Sequence, residues 1–246
     1  MGASLRPTAE HLLRLVVYRS PVSGVARRVK DLVSRRPLHE TAEYWNREAP
    51  RLDGAFNSHL GNELRSRVIA LLLELAGPRP RRVLDVGCAF GRLADALVGL
   101  GLEEYTGVDL SDEAIRQAEQ RLAAAAPPPA ESRRFVRQDL RAFTPGPGQR
   151  FDVIVFNEVL YYLKVDEAIG QVDRYGRWLA PGGVFCVSMK KQPKSEAIGA
   201  LLRQRFDWVY GTLLQQQPDG PTYRVRRDPA RPAYLVALMR PKGATG

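Results

Sequence analysis

The residues with the most evident chemistry lie in the run Val83-Leu84-Asp85-Val86-Gly87-Cys88-Ala89-Phe90-Gly91-Arg92-Leu93. A hydrophobic stretch holding an acid leads into a turn that carries Gly87 and Gly91, and then into a helix-like segment. Glycine has no Cβ, so the backbone of such a turn can come close to a ligand. The Gly-x-x-x-Gly spacing differs from the Gly-x-Gly-x-x-Gly of dinucleotide sites. Asp85 would sit badly against a pyrophosphate and well against a cationic amino group. Read alone, the run is also compatible with a purely structural strand–turn–helix.

Asp109 closes the next hydrophobic run, Tyr105 to Asp109. At a strand end it can accept hydrogen bonds from both hydroxyls of a ribose. Its alternative role is to cap the following helix, but Ser111 already stands at the capping position. Asp139, in Gln138-Asp139-Leu140, can accept from the exocyclic amine of an adenine while Leu140 packs near the ring; alone it reads equally as a solvated loop acid. In Asn157-Glu158-Val159-Leu160-Tyr161-Tyr162-Leu163, a helical turn would put Glu158 and Tyr162 on one side. Glu158 could then orient an amine or take its proton, and Tyr161 or Tyr162 could line a pocket, although core packing accounts for at least one tyrosine. The histidines are His11, His39 and His59. A lone histidine is more often a surface residue than a base, and His59 is the candidate for an additional base. Tyr44 and Trp45 are candidate lid aromatics, with a packing role as the alternative.

These groups need a sheet edge to bring them together, and the surrounding sequence supplies strand–helix alternation. A helix is predicted from Asn57 or Ser58 to Ala76, a strand over Arg82–Val86, a helix over Gly91–Leu100 and a strand over Tyr105–Asp109. Ser111 caps a helix through Ala126, with Asp112 and Glu113 favoured by the positive end of its dipole. A third strand begins at Phe135. Phe151–Phe156 is a continuous apolar strand, buried on both faces of a parallel sheet. A helix from Asp166 to Leu179 and a strand over Gly183–Met189 follow. Ile198–Arg205 is helical, and Trp208–Leu214 with Tyr234–Met239 form a terminal hairpin around 217–221. Residues 5–36 read as one or two basic amphipathic helices broken at Pro21 and Gly24. The predicted class is therefore α/β, a mostly parallel sheet covered by helices.

The chain has 246 residues, 44% hydrophobic and 26% charged, the composition of an ordinary globular protein. No apolar run is long enough to span a bilayer. Leu12–Tyr18 is short, interrupted by Arg14, and lacks the features of a signal peptide. Two cysteines, Cys88 and Cys186, give neither a disulfide framework nor a zinc spacing, so a cytoplasmic, reduced protein without a metal site is expected. The net charge of +10 sits in the flanks: residues 1–40 carry +5, 41–189 carry −2 and 190–246 carry +7. Basic flanks can attract phosphate, or can be a solvated surface.

In their order and spacing these motifs, with Leu179-Ala180-Pro181-Gly182-Gly183-Val184 as the last, resemble the class I S-adenosylmethionine-dependent methyltransferase family over roughly residues 57–190. The resemblance implies a Rossmann-like seven-stranded sheet with one antiparallel strand near its edge and helices on both faces. It implies S-adenosyl-L-methionine as cofactor, with Asp85, Gly87 and Gly91 around its methionine part, Asp109 on the ribose, and Asp139 with Leu140 at the adenine. Asn157 would lie beside the methionine moiety and Glu158 near the methyl donor. Cys88, Ala89 and Leu110 complete the expected cofactor set. Many family members carry glycine where this chain has Ala89. The expected organisation is an N-terminal basic helical extension and active-site lid over 1–56, and a methyltransferase domain over 57–246.

The segment after the fourth strand separates subclasses. Enzymes acting on exocyclic amines of nucleic-acid bases commonly show Asn/Asp-Pro-Pro-aromatic there. Carbon-5 pyrimidine enzymes need a nearby cysteine, and metal-dependent RNA-end enzymes need histidines. The Glu-Val-Leu-Tyr-Tyr-Leu stretch instead resembles small-molecule N-methyltransferases, including the nodulation-type enzymes. Methyl transfer to a nitrogen or oxygen of a small molecule is thus the leading expectation. RNA methylation using the basic termini, and a non-catalytic cofactor-binding protein, are the alternatives.

Overall fold

The computed structural model describes residues 41–49, 61–76, 79–125, 132–216, 223–224 and 233–243. His11, His39, His59, the helices expected over 5–36, the Pro127–Pro129 loop and the turn at 217–221 lie outside the described residues. A helix α1 over 42–49 precedes α2 (Gly61–Ala76). The order is then β1 (Arg82–Val86), α3 (Arg92–Ala96), β2 (Glu104–Asp109), α4 (Asp112–Ala123), β3 (Ser132–Arg137), β4 (Phe151–Asn157), a 3₁₀ turn (Leu160–Tyr162) and α5 (Val165–Gly176). It continues with β5 (Leu179–Lys190), α6 (Pro193–Arg205), β6 (Phe206–Gln216), β7 (Tyr223–Arg224) and β8 (Ala233–Pro241).

The strands form one sheet in the order β3-β2-β1-β4-β5-β8-β6-β7. β1 to β5 are mutually parallel, and β8 runs antiparallel to both β5 and β6. This is the expected seven-stranded sheet with one reversed strand, extended by the two-residue β7 at its edge. One face packs Val83, Tyr105, Val153, Val155, Cys186 and Leu238 against Ile69 and Leu73 of α2 and Leu93, Ala94 and Leu97 around α3. The other packs Leu84, Ile154, Phe156, Phe185 and Met239 against Ala168, Ile169, Val172 and Tyr175 of α5 and Ile198 and Leu202 of α6.

Several boundaries differ from the sequence reading. α3 stops at Ala96, because Gly99 and Gly101 are in the left-handed region and turn the chain toward β2. α4 begins as expected, its Ser111 hydroxyl accepting from Ala114 N at 3.1 Å. β3 starts at Ser132, three residues before Phe135, because its arginines are held through their heads: Arg133 pairs with Asp95, and Arg134 Nε donates to Thr106 Oγ1. Arginine is a weak strand signal, so the pattern concealed these positions. α5 runs Val165–Gly176, ending before the predicted Leu179, which already belongs to β5.

Side chains alternate between the faces of a strand. Counting from Val83, Tyr105 and Val153, the same face receives Asp85 on β1, Asp109 on β2 and Asn157 on β4. All three therefore emerge at or near the carboxyl ends of adjacent parallel strands, where open α/β sheets bind ligands.

Candidate active site

The β1–α3 turn holds three left-handed residues, Gly87 (φ 77°), Ala89 (φ 46°) and Gly91 (φ 70°). A Cβ at Gly87 would lie 2.8 Å from Val159 Cγ2, and one at Gly91 would lie 2.8 Å from Phe135 Cζ. Both glycines are thus required by the fold itself, before any ligand is considered. The turn is tied to β2: Gly87 N and Cys88 N donate to Val108 O at 2.7 and 3.0 Å. Asp109 completes the tie, accepting from Ala89 N through Oδ2 and from Ser111 N through Oδ1, both at 2.9 Å. Burial pushes the Asp109 carboxyl above the usual carboxylate range, against the backbone N–H groups of Ser111, Ala89 and Leu110. The Cys88 side chain is turned into the protein, where a Cβ on Gly107 would meet its Sγ, so it offers a ligand only backbone. Burial, followed by the charges of Asp109 and Asp85, pushes its thiol well up, which leaves it a poor nucleophile.

Asp85 is only 2% exposed. Its Oδ2 accepts from the Tyr105 hydroxyl at 2.5 Å, and its Oδ1 has no partner. Burial pushes its carboxyl up to about 7; the Tyr105 hydrogen bond opposes this and the Asp109 charge adds to it. On the neighbouring strand, Asn157 Oδ1 is likewise buried without a partner. Two unsatisfied acceptors on adjacent strand ends call for a donor, because a buried polar atom left unpaired costs roughly 1–3 kcal/mol. Asp139 is engaged by Arg141, whose N donates to Oδ1 at 2.8 Å and whose guanidinium pairs with Oδ2 at 3.2 Å. Leu140 packs on the core, and its carbonyl accepts from Tyr175 Oη at 2.8 Å.

Beyond β4 the geometry departs from the helical turn expected for Glu158 and Tyr162. Glu158 is left-handed (φ 60°) and stands outside the 3₁₀ turn Leu160–Tyr162. The left-handed backbone at 158 redirects the chain into this turn, so Tyr161, not Tyr162, meets Glu158: Tyr161 Oη donates to Oε2 at 3.0 Å. Ser188 Oγ donates to Oε1 at 2.7 Å and Lys190 N to Oε2 at 3.1 Å. Tyr162 turns instead to the N-terminal segment, its ring edge-on to Trp45 with centroids 4.8 Å apart. Trp45 in turn stands edge-on to Tyr44 at 5.1 Å.

α1 is fixed at its other side by Asn46, which accepts from Ser111 Oγ at 2.8 Å and Glu113 N at 3.3 Å and donates to Asp112 Oδ2 at 3.2 Å. Ala49 packs with Phe90 and Ala114, and Ala89 lies against them. The helix therefore reaches from the β2 end to the β4 end of the sheet. Sequence reasoning flagged Tyr44 and Trp45 but missed Asn46, Tyr105 and Ser188. Asn46 directly follows Trp45 in the chain; Tyr105 and Ser188 look in sequence like ordinary strand residues. Among the described residues no group of His, Cys, Asp and Glu is arranged to hold a metal ion, and no helix is long and apolar enough to cross a membrane.

A methyltransferase-domain family matches residues 84–185. A ubiquinone biosynthesis O-methyltransferase of Xylella fastidiosa is 30% identical over 203 residues, covering 82% of this chain and 74% of that protein. The chain belongs to the class I S-adenosylmethionine-dependent methyltransferases. A second ubiquinone biosynthesis O-methyltransferase, from Albidiferax ferrireducens, is 35% identical over 146 residues, 58% of this chain but 54% of that protein. The chain thus spans about half the length of the first curated relatives it matches. The N-methyltransferase NodS from Bradyrhizobium japonicum WM9, solved with S-adenosyl-L-homocysteine, shares the fold with TM-score 0.59 and 22% identity, covering 82% of this chain and 99% of that one.

The residues at this edge have the chemistry to hold S-adenosylmethionine. S-adenosylmethionine carries an ammonium, and Asp85 Oδ1 and Asn157 Oδ1 are buried acceptors without donors. A carboxylate offers about four acceptor positions. Asp109 uses its oxygens on backbone N–H groups and could still receive ribose hydroxyls.

Proposed function

We propose that this methyltransferase acts on a nitrogen or oxygen of a small-molecule acceptor, and that the carboxyl edge of its sheet divides into a cofactor half and an acceptor half. In the cofactor half, Asp85 and Asn157 receive the amino group of the methionine part, and the turn carrying Gly87, Cys88, Ala89 and Gly91 offers backbone. Asp109 and Leu110 hold the ribose, and Asp139 and Leu140 the adenine. In the acceptor half, Glu158 is the orienting group. Three donors occupy it, leaving about one acceptor position for an N–H or O–H of the substrate. Tyr162 and Trp45 form an aromatic wall. His59 is the candidate for taking the acceptor's proton.

The bound cofactor supplies an electrophilic methyl group. The protein's part is to align the acceptor atom with it and keep water out. The observation that carries the small-molecule reading is the position of α1, anchored at Ser111 on one side and at Tyr162 on the other. We take this helix as the lid of the extension over 1–56. A covered site suits a molecule it can enclose, and the relatives named as ubiquinone biosynthesis O-methyltransferases and the N-methyltransferase of similar fold support that reading. We place the reaction in the cytoplasm, where the free thiols of Cys88 and Cys186 stay reduced.

The test is incubation of the purified protein with methyl-labelled cofactor and panels of amines, phenols, carboxylic acids and RNA. Label should enter a low-molecular-mass amine or oxygen acceptor, and transfer should fall at least tenfold in Glu158→Gln. Incorporation into RNA alone would overturn the small-molecule reading.

A further inference from the structure

Tyr105 stands at the start of β2 with no solvent exposure, in the apolar layer formed with Val83, Leu97 and Val153. A tyrosine sealed in such a layer must find a partner for its hydroxyl, and this one finds Asp85 Oδ2 at 2.5 Å. A phenylalanine would fill the same space without that demand. The hydroxyl also has a consequence for the carboxylate. A carboxyl with one oxygen hydrogen-bonded cannot rotate freely, so the direction of its second oxygen is set. That second oxygen, Oδ1, is the one left without a partner.

We propose that Tyr105 is a positioning residue of the cofactor site: its buried hydroxyl holds one oxygen of Asp85 so that the other is presented to the amino group of the cofactor. This rests on the reading of Asp85 as the acceptor for that group. The ionisable groups around Asp85 are Tyr105 and Asp109 on β2, Cys88 in the turn and Cys186 on β5, with Arg133 of β3 acting on Tyr105. Of these, Tyr105 eases the ionisation of Asp85, whereas burial and Asp109 resist it. Burial and the Asp85 charge hold the phenol itself well above its ordinary range, so it stays a donor at neutral pH. Tyr105 thus sets both the direction of the free oxygen and the fraction of Asp85 that carries charge when the cofactor arrives.

The sign of the pH effect follows. Asp85 must be ionised to pair with an ammonium, so cofactor affinity should rise with pH through about 7 and then level off. Calorimetric titration with S-adenosyl-L-homocysteine, which keeps the amino group, between pH 5.5 and 8.5 reads this directly. In Tyr105→Phe the midpoint should move up by about one pH unit, which lowers the ionised fraction of Asp85 at pH 7 from about one half to about one tenth and the affinity there roughly fivefold. Site-specific 3-fluorotyrosine at 105, a stronger donor that keeps the side chain's shape, should move the midpoint the opposite way. In an Asp85→Asn background, Tyr105→Phe should add little to the loss of affinity, as expected for residues acting through one another. If Asp85→Asn weakens binding but neither change at 105 moves the midpoint, the role of Tyr105 is overturned while Asp85 stands. If Asp85→Asn binds normally, the assignment of Asp85 itself has failed.

Discussion

The two halves proposed for the carboxyl edge are built by different means. The proposed cofactor half is local: its turn is held by backbone ties to β2, and its carboxylates and amide stand at neighbouring strand ends. Residues 85–91 and 105–111 form its centre, joined by Asp139 and Leu140 after β3 and Asn157 at the end of β4; the register of β1 on β2 brings Asp85 beside Gly107, with Asp109 Oδ2 receiving Ala89 N. The proposed acceptor half draws on three distant segments: the side chains of Trp45 from α1 and of Glu158, Tyr161 and Tyr162 after β4, and the Ser188 hydroxyl with the Lys190 backbone N from the end of β5. A backbone-built site tolerates little change. A side-chain-built site can be altered one residue at a time while the sheet beneath it stays the same.

The strongest way to break that contrast is Asp109→Ala. It removes the acceptor of two backbone N–H groups and, on the proposed reading, of both ribose hydroxyls. Cofactor affinity should fall by roughly 1–3 kcal/mol, and the protein should also melt at a lower temperature. Acceptor KM at saturating cofactor should barely move. A calorimetric affinity equal to wild type would show that the ribose does not lie on Asp109, and a large shift in acceptor KM would show that the two halves are not separable.

The contrast also explains what could be read from the sequence. The Asp85–Gly91 run, Asp109 after its strand and the alternation of strands and helices each follow from neighbouring residues, and the sheet order agrees with them. Glu158 was visible as an acid at the end of β4, but not its surroundings. Ser188 and Lys190 reach it from about 30 residues away, and the left-handed backbone at 158 redirects the turn so that Tyr161 takes the place expected for Tyr162. Asn46 is equally hidden, because its three hydrogen bonds are to residues at least 65 positions away. Tyr105 looked like a strand aromatic, and only the parallel register shows its hydroxyl meeting Asp85.

A milder probe acts on the acceptor half. Trp45→Ala removes the edge-on contact with Tyr162, and such aromatic pairs contribute roughly 0.5–1.5 kcal/mol beyond their buried area. Acceptor KM should rise about three- to tenfold, with cofactor affinity changed by less than a factor of about two. Steady-state kinetics against each substrate in turn separates the two. The reverse pattern, with cofactor binding weakened and acceptor KM intact, would place Trp45 with the cofactor and redraw the boundary between the halves.

The smallest expected effect concerns Ala89, where this chain departs from the glycine common in its family. At φ 46° an alanine is strained by roughly 1–2 kcal/mol relative to a right-handed conformation. Two terms oppose the gain from Ala89→Gly: the greater chain entropy of glycine when unfolded, and the lost packing of a partly buried methyl against Ala49, Phe90 and Ala114. The net should be a stabilisation of only about 0.5 kcal/mol, or roughly 1–2 °C in melting temperature. The methyl lies on the side where α1 docks, so its loss should loosen the helix more than the turn. Amide exchange over residues 42–49 should quicken in Ala89→Gly while cofactor affinity stays within about threefold. An unchanged exchange rate in α1 together with a large change in affinity would instead mean that the methyl bears on the cofactor, and that the backbone of this turn is less fixed by β2 than its hydrogen bonds to Val108 and Asp109 imply.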